Sequence, residues 1–156
     1  MVTLVLDNAK LFPELLECMW SDEPVIRMRA ADAAEKISCA KPELLQPFKA
    51  ELLGLAQEST QQEVRWHLAL MLPRLRLTSP ERRSAVARLQ EYLQDRSSIV
   101  KTLALQGLSD LARDDEQLQP EVLELIAQAS RTGTAAMKAR ARKLLLQWQI
   151  VNARSL

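Results

Sequence analysis

His67 is the only histidine in the 156-residue chain, and it directly follows Trp66. A zinc site needs three or four His, Cys or carboxylate ligands at recurring spacings. No second histidine, cysteine or carboxylate surrounds His67 at such a spacing, so it reads as structural or solvated. Asp114-Asp115-Glu116 gathers three acids, but just ahead of Gln117 and Gln119 they read as a solvated turn. Gly-rich phosphate loops, GxSxG and HExxH are all missing. No catalytic role, metal or cofactor is expected. The cations best placed for a phosphate backbone are Lys138, Arg140, Arg142 and Lys143. Binding through them would be salt-dependent and independent of base sequence. On a helix, however, they spread around the circumference instead of forming one stripe. Arg74, Arg76, Arg82, Arg83 and Arg88 cluster around the turn at 76–80, and read as a solvated surface.

A pattern of twelve residues positions all these groups. Its copies are Ile26–Ile37, Val64–Leu75, Val100–Leu111 and Met137–Trp148, with steps of 38, 36 and 37 residues between starts. Each opens on an apolar residue and a cation: Ile26-Arg27, Val64-Arg65, Val100-Lys101, Met137-Lys138. A period of this length marks a repeat architecture. Helix-favouring residues dominate and runs of β-branched residues are nearly absent, so the predicted fold is all-α.

Four helix pairs are predicted: 9–20 with 23–39, 43–57 with 61–76, 81–94 with 98–113, and 121–130 with 135–151. Pro42, Pro80 and Pro120 suit first helical positions, each followed by Glu. Ser79 is the predicted N-cap before Pro80, Thr60 and Glu63 have capping-box spacing, and Ser21 is the predicted cap of the second helix. Gly133 supplies a turn, and Pro73 should kink the helix that holds it. Each helix is too short and one-sided to stand alone, so pairs must stack. The chain reads as one domain over 1–156, with repeats near 1–40, 41–78, 79–115 and 116–156.

These features resemble those of HEAT-repeat proteins: helix pairs, a period near 37, the apolar-cation start and an alanine-rich centre at Ala30–Ala34. The resemblance implies a right-handed α-solenoid of four HEAT-like antiparallel pairs that serves as a binding scaffold. It also implies an acid ahead of each second helix contacting the repeated cation. Asp95 matches that place, while Ser21, Ser59 and Thr132 occupy it in the other repeats.

At about 100° per residue, positions one, five, eight, nine and twelve of the pattern fall together as core. They are Ile26, Ala30, Ala33, Ala34 and Ile37 in the first copy, and Val64, Leu68, Met71, Leu72 and Leu75 in the second. Positions three, seven and ten are expected to face solvent: Met28, Asp32 and Glu35; Trp66, Leu70 and Pro73; Thr102, Gln106 and Ser109; Ala139, Lys143 and Leu146. In a HEAT-like stack this would be the concave side, where a protein or peptide partner sits. Met28, Trp66 and Leu70 would form its apolar centre, with Asp32, Thr102 and Gln106 around them and Arg65 and Lys101 as flanking cations.

The alternative is nucleic-acid binding by the basic C-terminal half. HEAT-like solenoids that excise alkylated bases from DNA use a Trp and an Asp, and Trp66 and Asp32 both hold face positions. Asp32 stands one repeat before Trp66, however, and the first half of the chain is net acidic.

Net charge is +1 but unevenly spread. Residues 1–63 carry six Lys+Arg and eleven Asp+Glu, a net of −5, and residues 64–156 carry fifteen and nine, a net of +6. Head-to-tail self-association, helped by Leu146, Ile150 and Val151, is therefore a further expectation. Cys18 and Cys39 are too few for a disulfide framework and read as free, partly buried thiols. With no leader at MVTLVLDNAK and no run of about 20 apolar residues, a cytoplasmic location without membrane association is expected.

Overall fold

The computed structural model describes residues 1–155. It is all-helical, with no strand among the described residues. Nine α-helices follow in order: α1 Val2–Asp7, α2 Phe12–Glu17, α3 Pro24–Ala40, α4 Lys49–Glu58, α5 Gln62–Met71, α6 Ser79–Tyr92, α7 Ser98–Ala112, α8 Gln119–Thr132 and α9 Ala135–Arg154. The helix carrying each copy of the pattern packs on the next, α3 on α5, α5 on α7 and α7 on α9. Each also packs on the helix before it in sequence: α2 with α3, α4 with α5, α6 with α7 and α8 with α9.

Proline explains most departures from the predicted boundaries. The expected helix 43–57 begins as a 3₁₀ stretch, Pro42–Phe48, with Pro47 inside it, and becomes α-helical only from Lys49. Pro47 has no N–H to give an α-helical turn. The helix expected to kink at Pro73 instead stops at Met71, and Leu72–Arg74 forms a 3₁₀ turn. The expected helix 9–20 contracts to α2 between two 3₁₀ turns, and α1 adds a helix that the periodicity misses.

Caps also differ from expectation. Thr78, not Ser79, caps α6, in a full capping box with Glu81. Glu81 also accepts from Lys49 Nζ at 2.9 Å, which ties α4 to α6. Gln61 rather than Thr60 holds the N-cap of α5, with no side-chain bond. Glu23 caps α3, and Ser21 Oγ accepts from the Glu23 N–H at 3.2 Å. Cys18 and Cys39 are both free, but exposed rather than partly buried.

The core runs along the whole row. Ala30, Ala33, Ala34 and Ile37 are buried, as are Val64, Leu68, Met71, Leu72 and Leu75. Ile26 is the exception at 44% exposure, whereas its counterparts Val64, Val100 and Met137 are buried. α3 is preceded by two short helices, α1 and α2, both of which pack on it.

Candidate binding surface

The cation at position two of the pattern has a repeated local role. Arg27 Nη1 donates to the Ser21 carbonyl at 2.7 Å, and Arg65 Nε donates to the Ser59 carbonyl at 2.7 Å. Each then reaches into the next repeat. Arg27 Nε donates to Gln61 Oε1 at 2.8 Å, and Arg65 Nη1 pairs with Asp95 Oδ2 at 2.6 Å. Ser21 and Ser59 thus contribute backbone oxygen rather than a side-chain cap. Burial opposes ionisation of Asp95, but the Ser97 N–H and Arg65 outweigh it and hold its carboxyl below the usual range. Arg65 also lies over the Tyr92 ring at 5.2 Å, a cation–π distance. Arg65 is therefore tied into the stack and not free to flank a ligand. Lys101 is half-buried beside Gln94, Gln128, Thr132 and Thr134 in a polar groove of about 300 Å³.

Positions three and ten face solvent as expected only in the fourth copy, where Ala139 and Leu146 are exposed. Thr102 and Ser109 are buried at 9% and 3% exposure. The Thr102 hydroxyl donates to the Ser98 carbonyl at 2.7 Å, and Ser109 Oγ accepts from Trp148 Nε1 at 2.9 Å. Glu35, also at position ten, accepts from Arg74 of the next repeat at 2.6 Å. Arg74 donates in addition to Ser38 Oγ at 2.8 Å and to the Glu35 carbonyl at 2.7 Å. Positions six and ten thus lie on the flank that meets the next helix. At position six, Ala31, Ala69 and Leu105 are fully buried.

The open side lies about 100° further around, through positions four, seven and eleven. There the row shows Arg29, Asp32 and Lys36, then His67, Leu70 and Arg74, then Leu103, Gln106 and Asp110, none of them fully buried. A register recurs along it, in which position four of one copy reaches position seven of the copy before. His67 Nε2 stands 3.9 Å from Asp32 Oδ1, and Arg140 Nη1 donates to Gln106 Oε1 at 3.0 Å. In the central junction the same two places hold Leu103 and Leu70, both half-buried. Trp66 is half-buried against the core, its ring edge-on to His67 at 5.7 Å between centroids. Met28 is half-buried, and Asp32 binds Lys36 Nζ at 2.7 Å.

Two groups here have displaced pKa values. Burial lowers that of His67, against the raising influence of Asp32 and Glu35, and His67 Nδ1 is buried without a hydrogen-bond partner. Burial raises that of Asp110, although Arg113, Gln106, Arg74 and Arg140 all oppose the shift. Asp110 and the Glu35–Arg74 pair escaped the sequence reading, which classed Arg74 with a solvated cluster. Their one legible signal was that Glu35 and Arg74 are opposite charges one repeat apart. Others of that cluster are engaged too: Arg82 donates to the Leu111 carbonyl at 2.9 Å, and Arg88 pairs with Glu91. Arg76 and Arg83 remain exposed.

On α9, Lys138 is half-buried, Arg140 is bound to Gln106, and Arg142 and Lys143 are exposed, so the four cations do not present one face. Among the described residues, no three His, Cys, Asp or Glu side chains gather as a metal site. No helix is long and apolar enough to cross a membrane. No protein-family model, curated protein or solved structure matches the chain.

Proposed function

We propose that the chain is a non-catalytic binding scaffold, a right-handed HEAT-like α-solenoid of four helix pairs that holds a protein or peptide segment. The observation that carries this reading is an apolar centre on the open side of an otherwise polar row. Leu70 and Leu103 are half-buried where the neighbouring junctions carry Asp32–His67 and Gln106–Arg140. Trp66 borders them, and Ile99 lies one turn before Leu103 at 52% exposure. Apolar side chains held by rigid helices and ringed by charge are the usual make-up of a binding hot spot. Met28 lies on the covered flank of α3 and takes a peripheral place in this site. The solenoid reading is supported by the serial packing of α3, α5, α7 and α9 and by the recurring four-to-seven register.

The test is affinity capture from the native cell, followed by titration of the recovered partner against wild type and Trp66→Ala. Weakening by about tenfold or more is expected for an anchoring Trp, read at a temperature where both proteins remain folded, because truncating a side chain packed on the core also lowers the melting temperature. Equal affinity would remove Trp66 from the site. Nucleic-acid binding through Arg142 and Lys143 is the lesser reading, and a gel shift that vanishes with added salt would favour it.

A further inference from the structure

Large apolar side chains that are exposed among the described residues gather at the two ends of the row. Apart from Ile99, all of them lie in the first repeat or the last. Trp20, Val25 and Ile26 are 43%, 55% and 44% exposed at the start, and Leu146, Ile150 and Val151 are 59%, 53% and 48% exposed at the end. Two of these occupy positions that the interior of the row covers. Ile26 stands at position one, where Val64, Val100 and Met137 are buried. Leu146 stands at position ten, where Ser109 is buried and Glu35 takes the Arg74 bond from the following helix. Among the described residues, Ile26 is left uncovered at one end and Leu146 at the other.

The two ends also differ in charge. Beside the first lie Glu14, Glu17, Asp22 and Glu23, all exposed. On the flank of α9 lie Arg142 and Lys143, both exposed, and no acid follows Glu124 in the sequence. A symmetric pairing of two α9 helices would set cation against cation. Pairing unlike ends sets acid against base.

We propose that a second copy of this chain docks head to tail, its first repeat on the α9 flank, and so continues the row of helices. The contact rests on the stacked-row reading above but not on the peptide site. It covers Ile26 of one copy and Leu146 of the other, and brings Arg142 and Lys143 to the acidic start. Such a contact is heterologous, so assembly grows with concentration instead of stopping at a dimer, unless the rotation closes a ring. Its ionic component makes it weaker as salt rises.

Sedimentation velocity of the full chain over a range of concentrations, at low and high salt, tests this. Species larger than a dimer are expected at low salt and fewer at high salt. Ile26→Asp should block one end and Leu146→Asp the other, each leaving a monomer. Both side chains are exposed, and equal melting temperatures would establish that the variants fold. Mixed together, the two variants should form a one-to-one pair and nothing larger, because one live end of each kind remains. Trp66→Ala should assemble like wild type, which separates this contact from the peptide site. A wild type monomeric under every condition overturns the proposal. So does Ile26→Asp forming dimers alone, since that would mean a symmetric contact through α9.

Discussion

The α3–α5 and α5–α7 junctions share one register, and each has an ion pair, Glu35–Arg74 in the first and Arg65–Asp95 ahead of α7 in the second, but the helices themselves meet differently. Between α3 and α5 polar side chains span the gap. Glu35 and Arg74 pair at 2.6 Å with side chains 16% and 21% exposed, Ser38 adds a bond, and Asp32 faces His67. Between α5 and α7 the backbones approach closely. A Cβ built on Gly107 of α7 would lie 2.4 Å from the Ala69 carbonyl oxygen of α5 and 2.8 Å from Leu89 Cδ1. The comparison teaches that the repeat fixes where two helices meet but not what joins them. Where α7 meets α5 with no side chain, backbones touch and the junction is dry. Where Arg74 reaches back to α3, long polar side chains span the gap, and desolvation offsets much of their attraction.

Three substitutions would break or sharpen that contrast. The largest effect is expected from Gly107→Ala. Ala raises intrinsic helix propensity by about 1 kcal/mol, so any net loss measures the clash. The nearest atom is backbone oxygen and cannot swing away, so a net loss of about 3 kcal/mol is expected from denaturant melts. A gain in stability would mean that α5 and α7 are not in contact at this point. Next is Arg74→Ala, which leaves Glu35 without its cation. Both groups keep some solvent contact, so about 2 kcal/mol is expected, below the range for a fully buried pair. A loss as large as that of Gly107→Ala would make the ionic junction as demanding as the dry one.

The smallest effect concerns His67. Burial lowers its folded pKa, so the unfolded chain gains the proton first as pH falls through about 6.5. Stability should decline from that point and level off once pH passes below the folded value. His67→Gln should flatten this decline in melting temperature, and an unchanged pH profile would contradict the burial argument.

Much of the fold was legible in the sequence because a helix imposes its period directly. The twelve-residue pattern located all four second helices and most of their buried residues. The first helices were less legible. Pro47 forbids α-helix across a stretch whose apolar spacing still looks helical, and α1 belongs to no repeat. The candidate surface was half legible. Asp32, Leu70 and Gln106 do lie on the open side, but Thr102 and Ser109 are buried, and Arg65 is spent on Ser59 and Asp95.

The sequence by itself determined the helical phase, the repeat length and the residues that must avoid water. Only the tertiary structure decided which of the remaining residues meet water. The reason is geometric. Every helix in a row has a buried face and two covered flanks, and a helical wheel drawn for one helix cannot place its neighbours. The next helix approaches over positions six and ten, and so turns the open side toward four, seven and eleven. On α9, Arg142 is exposed where Ala31, Ala69 and Leu105 are buried, and Leu146 is exposed where Ser109 is buried.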